Sequence, residues 1–81
     1  MARAKATAKE IAPRITVDPA VCFGKPVVKG TRVPIAVILE QLSLGGTVDE
    51  VAGEYGVSRD DVLAVLRYAH EIISAEEVRA F

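Results

Sequence analysis

The side chains in this chain that could do chemistry are few and far apart. His70 and Cys22 are each the only residue of their kind, so neither a Cys-x-x-Cys nor a His-Glu-x-x-His ligand pattern can be assembled. No Ser, His and Asp stand where a nucleophilic triad would plausibly converge. The acid pairs Asp60-Asp61 and Glu76-Glu77 are neighbours on helical sequence, where adjacent side chains diverge by roughly 100°. They read as caps and solvated faces, not as a general acid and base. No catalytic residue, metal ligand or cofactor is expected, and the chain is expected not to be an enzyme. His70 reads as a half-buried helix edge and Cys22 as a small apolar packing residue. Binding chemistry remains. Ser58, Arg59 and Arg67 are candidates to reach phosphate or guanine from one helix, with Lys25, Lys29 and Arg32 as further phosphate contacts.

Two textures of sequence would have to position these groups. Residues 1–12 are rich in Ala and Lys with no apolar period, so residues 1–14 are expected to be a flexible N-terminal tail. From Ile15 onward, the β-branched runs Ile15-Thr16-Val17 and Val27-Val28 are punctuated by Asp18-Pro19, Gly24-Lys25-Pro26 and Gly30-Thr31. That is turn chemistry around short strands. Pro26 opens its strand, where a missing N–H is tolerated. Strands this short need support from helices or from a second protomer.

The rest carries a helical period. Pro34 suits a first turn. Ile35, Ile38, Leu39 and Leu42 then repeat at i, i+3, i+4 and i+7 before Gly45-Gly46 ends the segment. Thr47 to Glu50 is a capping box opening a helix with the apolar face Val48, Val51, Ala52 and Tyr55, closed by Gly56. Ser58 and Asp61 can cap a third helix with the stripe Val62, Val65, Leu66, Ala69, Ile72 and Ile73. Ser74 to Glu77 repeats the capping pattern, so this helix either runs on or gives way to a short fourth one. A single domain over 15–81 is expected, with a β segment over 15–33 and helices over 34–81.

The join at Gly56-Val57-Ser58 reads as the turn of a helix-turn-helix. Ala52 is small where two steeply crossing helices must approach, Gly56 supplies a left-handed turn, Val57 plugs the corner, and Val62 and Val65 point inward. The expected fold is mainly α: a trihelical, homeodomain-like helix-turn-helix with a short N-terminal β segment. The alternative is an ordinary helical hairpin with a glycine C-cap. In a major groove, Ser58, Arg59, Asp60, Ala64 and Arg67 would face the DNA, but Asp60 and Asp61 at that end repel phosphate.

At 81 residues and 51% hydrophobic composition, with a mean hydropathy of +0.29, a single small core cannot hide all the apolar surface. A homo-oligomer is therefore expected, through the strand edges or the helix end around Ile72, Ile73 and Val78. The longest apolar run, Val33 to Leu39, is seven residues, far short of the ~20 that span a bilayer. No secretory signal opens the sequence, and a lone cysteine suits a reducing compartment, so a cytoplasmic location is expected. The net charge of −1 hides a split. Residues 1–32 hold seven cations against two acids (net +5), and residues 33–81 three against nine (net −6). The basic end suits phosphates or an acidic protein; alternatively, the two halves attract across a dimer or are simply solvated.

Ile15-Thr-Val-Asp-Pro19 followed by Gly24-Lys-Pro-Val-Val-Lys-Gly-Thr-Arg-Val-Pro34 resembles the signature of the domain-of-unknown-function family 433. Gly45, the Thr47–Glu50 box, Tyr55 and the Val62, Leu66, Tyr68-Ala69 run fit as well, so the likeness covers residues 15–73. The resemblance implies a trihelical, homeodomain-like unit behind the β segment. It also implies an antitoxin of a type II toxin–antitoxin pair, encoded beside a PIN-like nuclease, and it offers no catalytic residue to carry over. Within the Gly-Thr-Arg element, Gly30 makes a turn, Thr31 caps, and Arg32 either pairs with an acid of the helical half or forks onto a phosphate or a partner's carboxylate. Three readings follow: an antitoxin binding a cognate toxin and also its operator DNA, a stand-alone DNA-binding regulator, and a structural interaction module. For a toxin contact the expected anchors are Ile72, Ile73, Val78 and Phe81.

Overall fold

The computed structural model describes residues 8–77. Strand β1 (Lys9–Ala12) runs into a two-residue turn and returns as β2 (Ile15–Val17); the two pair antiparallel, with Glu10 opposite Thr16 and Ala12 opposite Ile15. Pro13 presets the first corner of that turn. Arg14 takes the second with φ +68, a left-handed value that a glycine would adopt more cheaply. Lys9–Ala12 therefore correct the expected tail. The strand is short, polar and held by main-chain pairing, so it leaves no apolar alternation to read. Residues 1–7 lie outside the described residues.

Strand β3 (Val27–Val28) pairs with the other side of β2, completing a three-stranded antiparallel sheet in the order β1-β2-β3. The cross-strand pair Ile15 and Val28 is fully buried in the helical core, so the sheet leans on the helices. Thr31 closes the next turn: its hydroxyl donates to the Val28 carbonyl at 2.8 Å and accepts from the Val33 N–H at 3.0 Å.

Helix α1 (Ile35–Ser43) starts one residue later than expected, with Pro34 just outside it in extended backbone, and ends where Gly45 turns left-handed at φ +106. Helix α2 (Val48–Tyr55) opens on the reciprocal Thr47–Glu50 bonds, 3.0 and 3.1 Å long. It closes on Gly56 at φ +69, ψ +29. Helix α3 (Arg59–Glu77) opens on a second reciprocal cap: the Ser58 N–H donates to Asp61 Oδ2, and the Asp61 N–H donates to Ser58 Oγ, both at 3.0 Å. The helix runs on unbroken through Ser74, whose hydroxyl lies 3.3 Å from His70 Nε2. No fourth helix begins there.

Nothing lies within 4 Å of a Cβ built on Gly56, so a substitution there meets only backbone strain. Gly56→Val is expected to cost about 1–2 kcal/mol in a urea melt followed by circular dichroism.

The core gathers Ile15, Val28, Ile35, Ile38, Val51, Ala52, Val62 and Val65, with Leu39, Leu42, Tyr55, Val57 and Tyr68 packed around it. Four members of the expected α3 stripe do not join it: Ala69 is half-buried outside it, and Leu66, Ile72 and Ile73 are 37, 43 and 57% exposed. Leu66 turns to the outward side with Leu63, 42% exposed, while helix length accounts for Ile72 and Ile73. At 1.5 Å per residue, the 9-residue α1 and 8-residue α2 are less than half as long as the 19-residue α3, whose C-terminal turns outrun them. Among the described residues, no helix is long and apolar enough to cross a membrane.

Candidate binding surfaces on the third helix

Both carboxylates at the start of α3 are answered from the β segment. Arg14, 47 residues away, donates to Asp61 Oδ1 at 2.9 Å, and its second guanidinium nitrogen lies 3.8 Å from Asp60 Oδ2. The Asp61 side chain is 19% exposed. Burial raises its carboxyl pKa, but hydrogen bonds from the Ser58 main chain, Arg14 and the Ser58 hydroxyl outweigh this and hold it below the ordinary aspartate value. Glu10 extends the network. It takes the Lys29 ammonium at 3.0 Å and the Arg14 N–H at 3.0 Å, and these bonds, Lys29 first, lower its carboxyl pKa.

The cations expected to meet phosphate are therefore scattered and mostly engaged. Ser58 is spent on the cap. Arg59 reaches back to Asp49 of α2 at 2.8 Å, and Arg67 lies 3.8 Å from Glu71, one turn further on. Lys29 is paired with Glu10. Lys25 and Arg32 are exposed. Arg32 finds no acid of the helical half among the described residues, contrary to its structural reading. It lines a depression with Thr16, Asp18 and Thr31, while its carbonyl accepts from Cys22 Sγ at 3.3 Å. All five ion pairs among the described residues are solvent-exposed on at least one side, where such contacts are weak and exchangeable.

The apolar surfaces are more continuous. Leu63, Leu66, His70 and Ile73 follow a 3-4-3 spacing along α3 and so share one outward face, on which Leu63 is 42% exposed. Leu63, Arg67 and His70 line an open depression there. On the side toward α1, an open groove of about 340 Å³ is walled by apolar side chains, Pro26, Ala36, Leu39, Tyr68, Ile72 and Ile73 among them. Ile72 and Ile73, expected as partner anchors, are thus placed on exposed surface, with Ile73 between the two apolar areas. Val78 and Phe81 lie outside the described residues. Among the described residues, no three His, Cys, Asp or Glu side chains cluster closely enough to hold a metal ion.

A family model described as "Protein of unknown function (DUF433)" matches residues 15–69, the stretch that builds β2, β3 and most of the three helices. The chain belongs to DUF433. No curated protein shows significant similarity to it. Among solved structures, this DUF433 chain is similar to Rv2018 from Mycobacterium tuberculosis, with 31% identity and a TM-score of 0.67. The match covers 74% of this chain and 30% of that one, so the neighbour is more than twice as long.

Two residues that matter to these surfaces escaped the sequence reading. Arg14 followed the tail composition, although a residue between Pro13 and a β-branched run is where a tight turn would place it. Phe23 is 96% exposed. It sits with Cys22 in consecutive left-handed conformations, φ +57 and +50, and its only signal was a large aromatic beside Gly24.

Proposed function

We propose that this DUF433 chain is antitoxin-like: it binds and neutralises a PIN-like toxin of a type II pair, and operator DNA is its further ligand. In this reading α2, the Gly56 turn and α3 form a homeodomain-like helix-turn-helix, and the protein works by binding rather than catalysis. One observation supports a protein as the main ligand. The outward face of α3 exposes Leu63, Leu66 and Ile73, while both arginines on that helix are paired with carboxylates of the same chain. An apolar strip whose arginines are already paired, with exposed Glu76 one turn beyond Ile73, suits a partner with a basic surface. A nuclease that holds RNA needs such a surface.

The test is to co-express the chain with the open reading frame beside its gene, measuring growth and co-purification. Leu63→Asp together with Leu66→Gln is expected to abolish capture and growth rescue. The fold should survive, because substitutions at exposed positions typically shift stability by less than about 0.5 kcal/mol. A neighbour that is harmless alone, or that never co-purifies, refutes the toxin reading.

The stand-alone regulator is favoured by a different observation, the neutralisation of Asp60 and Asp61 by Arg14. It reduces the charge penalty for bringing this helix end to a phosphate backbone. If DNA is the ligand, affinity falls steeply with salt, and Arg59→Ala with Arg67→Ala weakens binding on every sequence. Binding to the promoter fragment that ignores both changes rules this helix out as the contact.

A further inference from the structure

We propose that Phe23 of one copy seats in the groove between α1 and α3 of a second copy, and reciprocally, closing a two-fold dimer. This inference does not rest on which ligand the outward face of α3 takes; the two surfaces share Ile73. A single exposed aromatic is ordinary, but this one is held out by construction. Asp18 accepts from the Val21 N–H at 2.8 Å through its carbonyl and from the Ala20 N–H at 2.9 Å through its carboxylate. Gly24 N–H donates to the Val21 carbonyl at 3.0 Å, and Lys25 N–H to the Cys22 carbonyl at 3.1 Å. Cys22 Sγ ties the turn to Arg32. Those bonds hold two successive non-glycine residues left-handed, and the effect is to present the ring to solvent at 96% exposure.

The matching hole is on the same molecule and close by. Pro26, three residues after Phe23, lines the groove, and three residues span at most about 11 Å. A closed two-fold contact needs knob and hole within one patch, since the same surface meets itself; a distant pair would build head-to-tail fibres. At about 340 Å³ with apolar walls, the groove accepts an aromatic ring without leaving a polar group unsatisfied.

Charge selects a second copy as the occupant. Arg14 and Lys29 are paired within the chain, so the charges that count are those next to the knob and the groove. The exposed Lys25 stands beside the knob. Exposed Glu40, next to Leu39, and exposed Glu76, one turn beyond Ile72, stand beside those walls. Docking two copies therefore sets the cation of each knob against the acidic rim of the other's groove.

The experiment is sedimentation equilibrium on the full chain from about 10 to 500 µM, a range bracketing the micromolar affinity of a small interface. The wild type is expected to form dimers. Phe23→Ala removes the knob, and Ala36→Arg, at an exposed position of α1, fills the groove. Each should weaken dimerisation at least about tenfold, as loss of a central anchor does, while thermal melts report an intact fold. Mixing the two variants restores one knob-in-groove contact, so the mixture should associate more strongly than either alone. A wild-type chain that stays monomeric at 500 µM overturns the proposal, whether a segment of its own chain or another protein fills the groove. So do dimers that survive Phe23→Ala, and so does a mixture no stronger than its components.

Discussion

Ile38→Ala is expected to remove about 3–4 kcal/mol of folding stability, the largest single loss in the protein. Ile38 is 0% exposed midway along α1 and belongs to the cluster that joins the β2–β3 pair to all three helices. Removing its three outer carbons forfeits their transfer free energy and leaves a cavity that a core of branched side chains closes poorly. A domain of this size is stabilised in total by only about 4–12 kcal/mol, so the variant should melt some 15–25 °C lower. Ile73→Ala makes the control. It deletes the same atoms at a position 57% exposed and should cost well under 1 kcal/mol. Similar losses at both positions in melts run at about 1 µM, where the dimer is dissociated, would mean that the end of α3 is packed within the chain itself.

Asp61→Ala is expected to cost about 2 kcal/mol at pH 7. Roughly 1 kcal/mol comes from the reciprocal cap with Ser58. The remainder comes from the Arg14 contact, discounted because the Arg14 side chain is 49% exposed. The effect is pH-dependent with a definite sign. The folded protein holds the Asp61 carboxyl pKa below its ordinary value, so the stabilisation is fully present above the ordinary aspartate range. It is lost as pH falls through the lowered value, below about pH 4. Glu10 shifts in the same direction. Wild type and Asp61→Ala should therefore differ most at neutral pH and converge as the pH falls through the lowered Asp61 value. A double-mutant cycle with Arg14→Ala should return a coupling of about 0.5–1 kcal/mol. Additive losses would place Arg14 elsewhere in solution.

What could be read in advance followed the range over which each feature is determined. The two capping boxes and the Gly56 turn are local chemistry written within a few residues, and each is found where the spacing placed it. Strand β1 was missed because an edge strand held by main-chain bonds needs no apolar alternation. The exposure of Ile72 and Ile73 depends on a comparison of helix lengths, which periodicity alone does not make. The Arg14–Asp61 contact spans 47 residues, so nothing near either residue announces it. Phe23 shows the reverse failure: its backbone is set locally, yet an aromatic there reads by default as core.

The outward face of α3 has an evolutionary consequence. The helix is anchored by its cap, by Val62 and Val65 on its inner side, and by the clamp from the β turn, so its outward side contributes little to folding. Leu63, Arg67, His70 and Ile73 can drift to other residues with little penalty to the scaffold. Two diverging copies of such a gene could acquire different partners, and lose cross-reactivity, through changes confined to this one helical stripe.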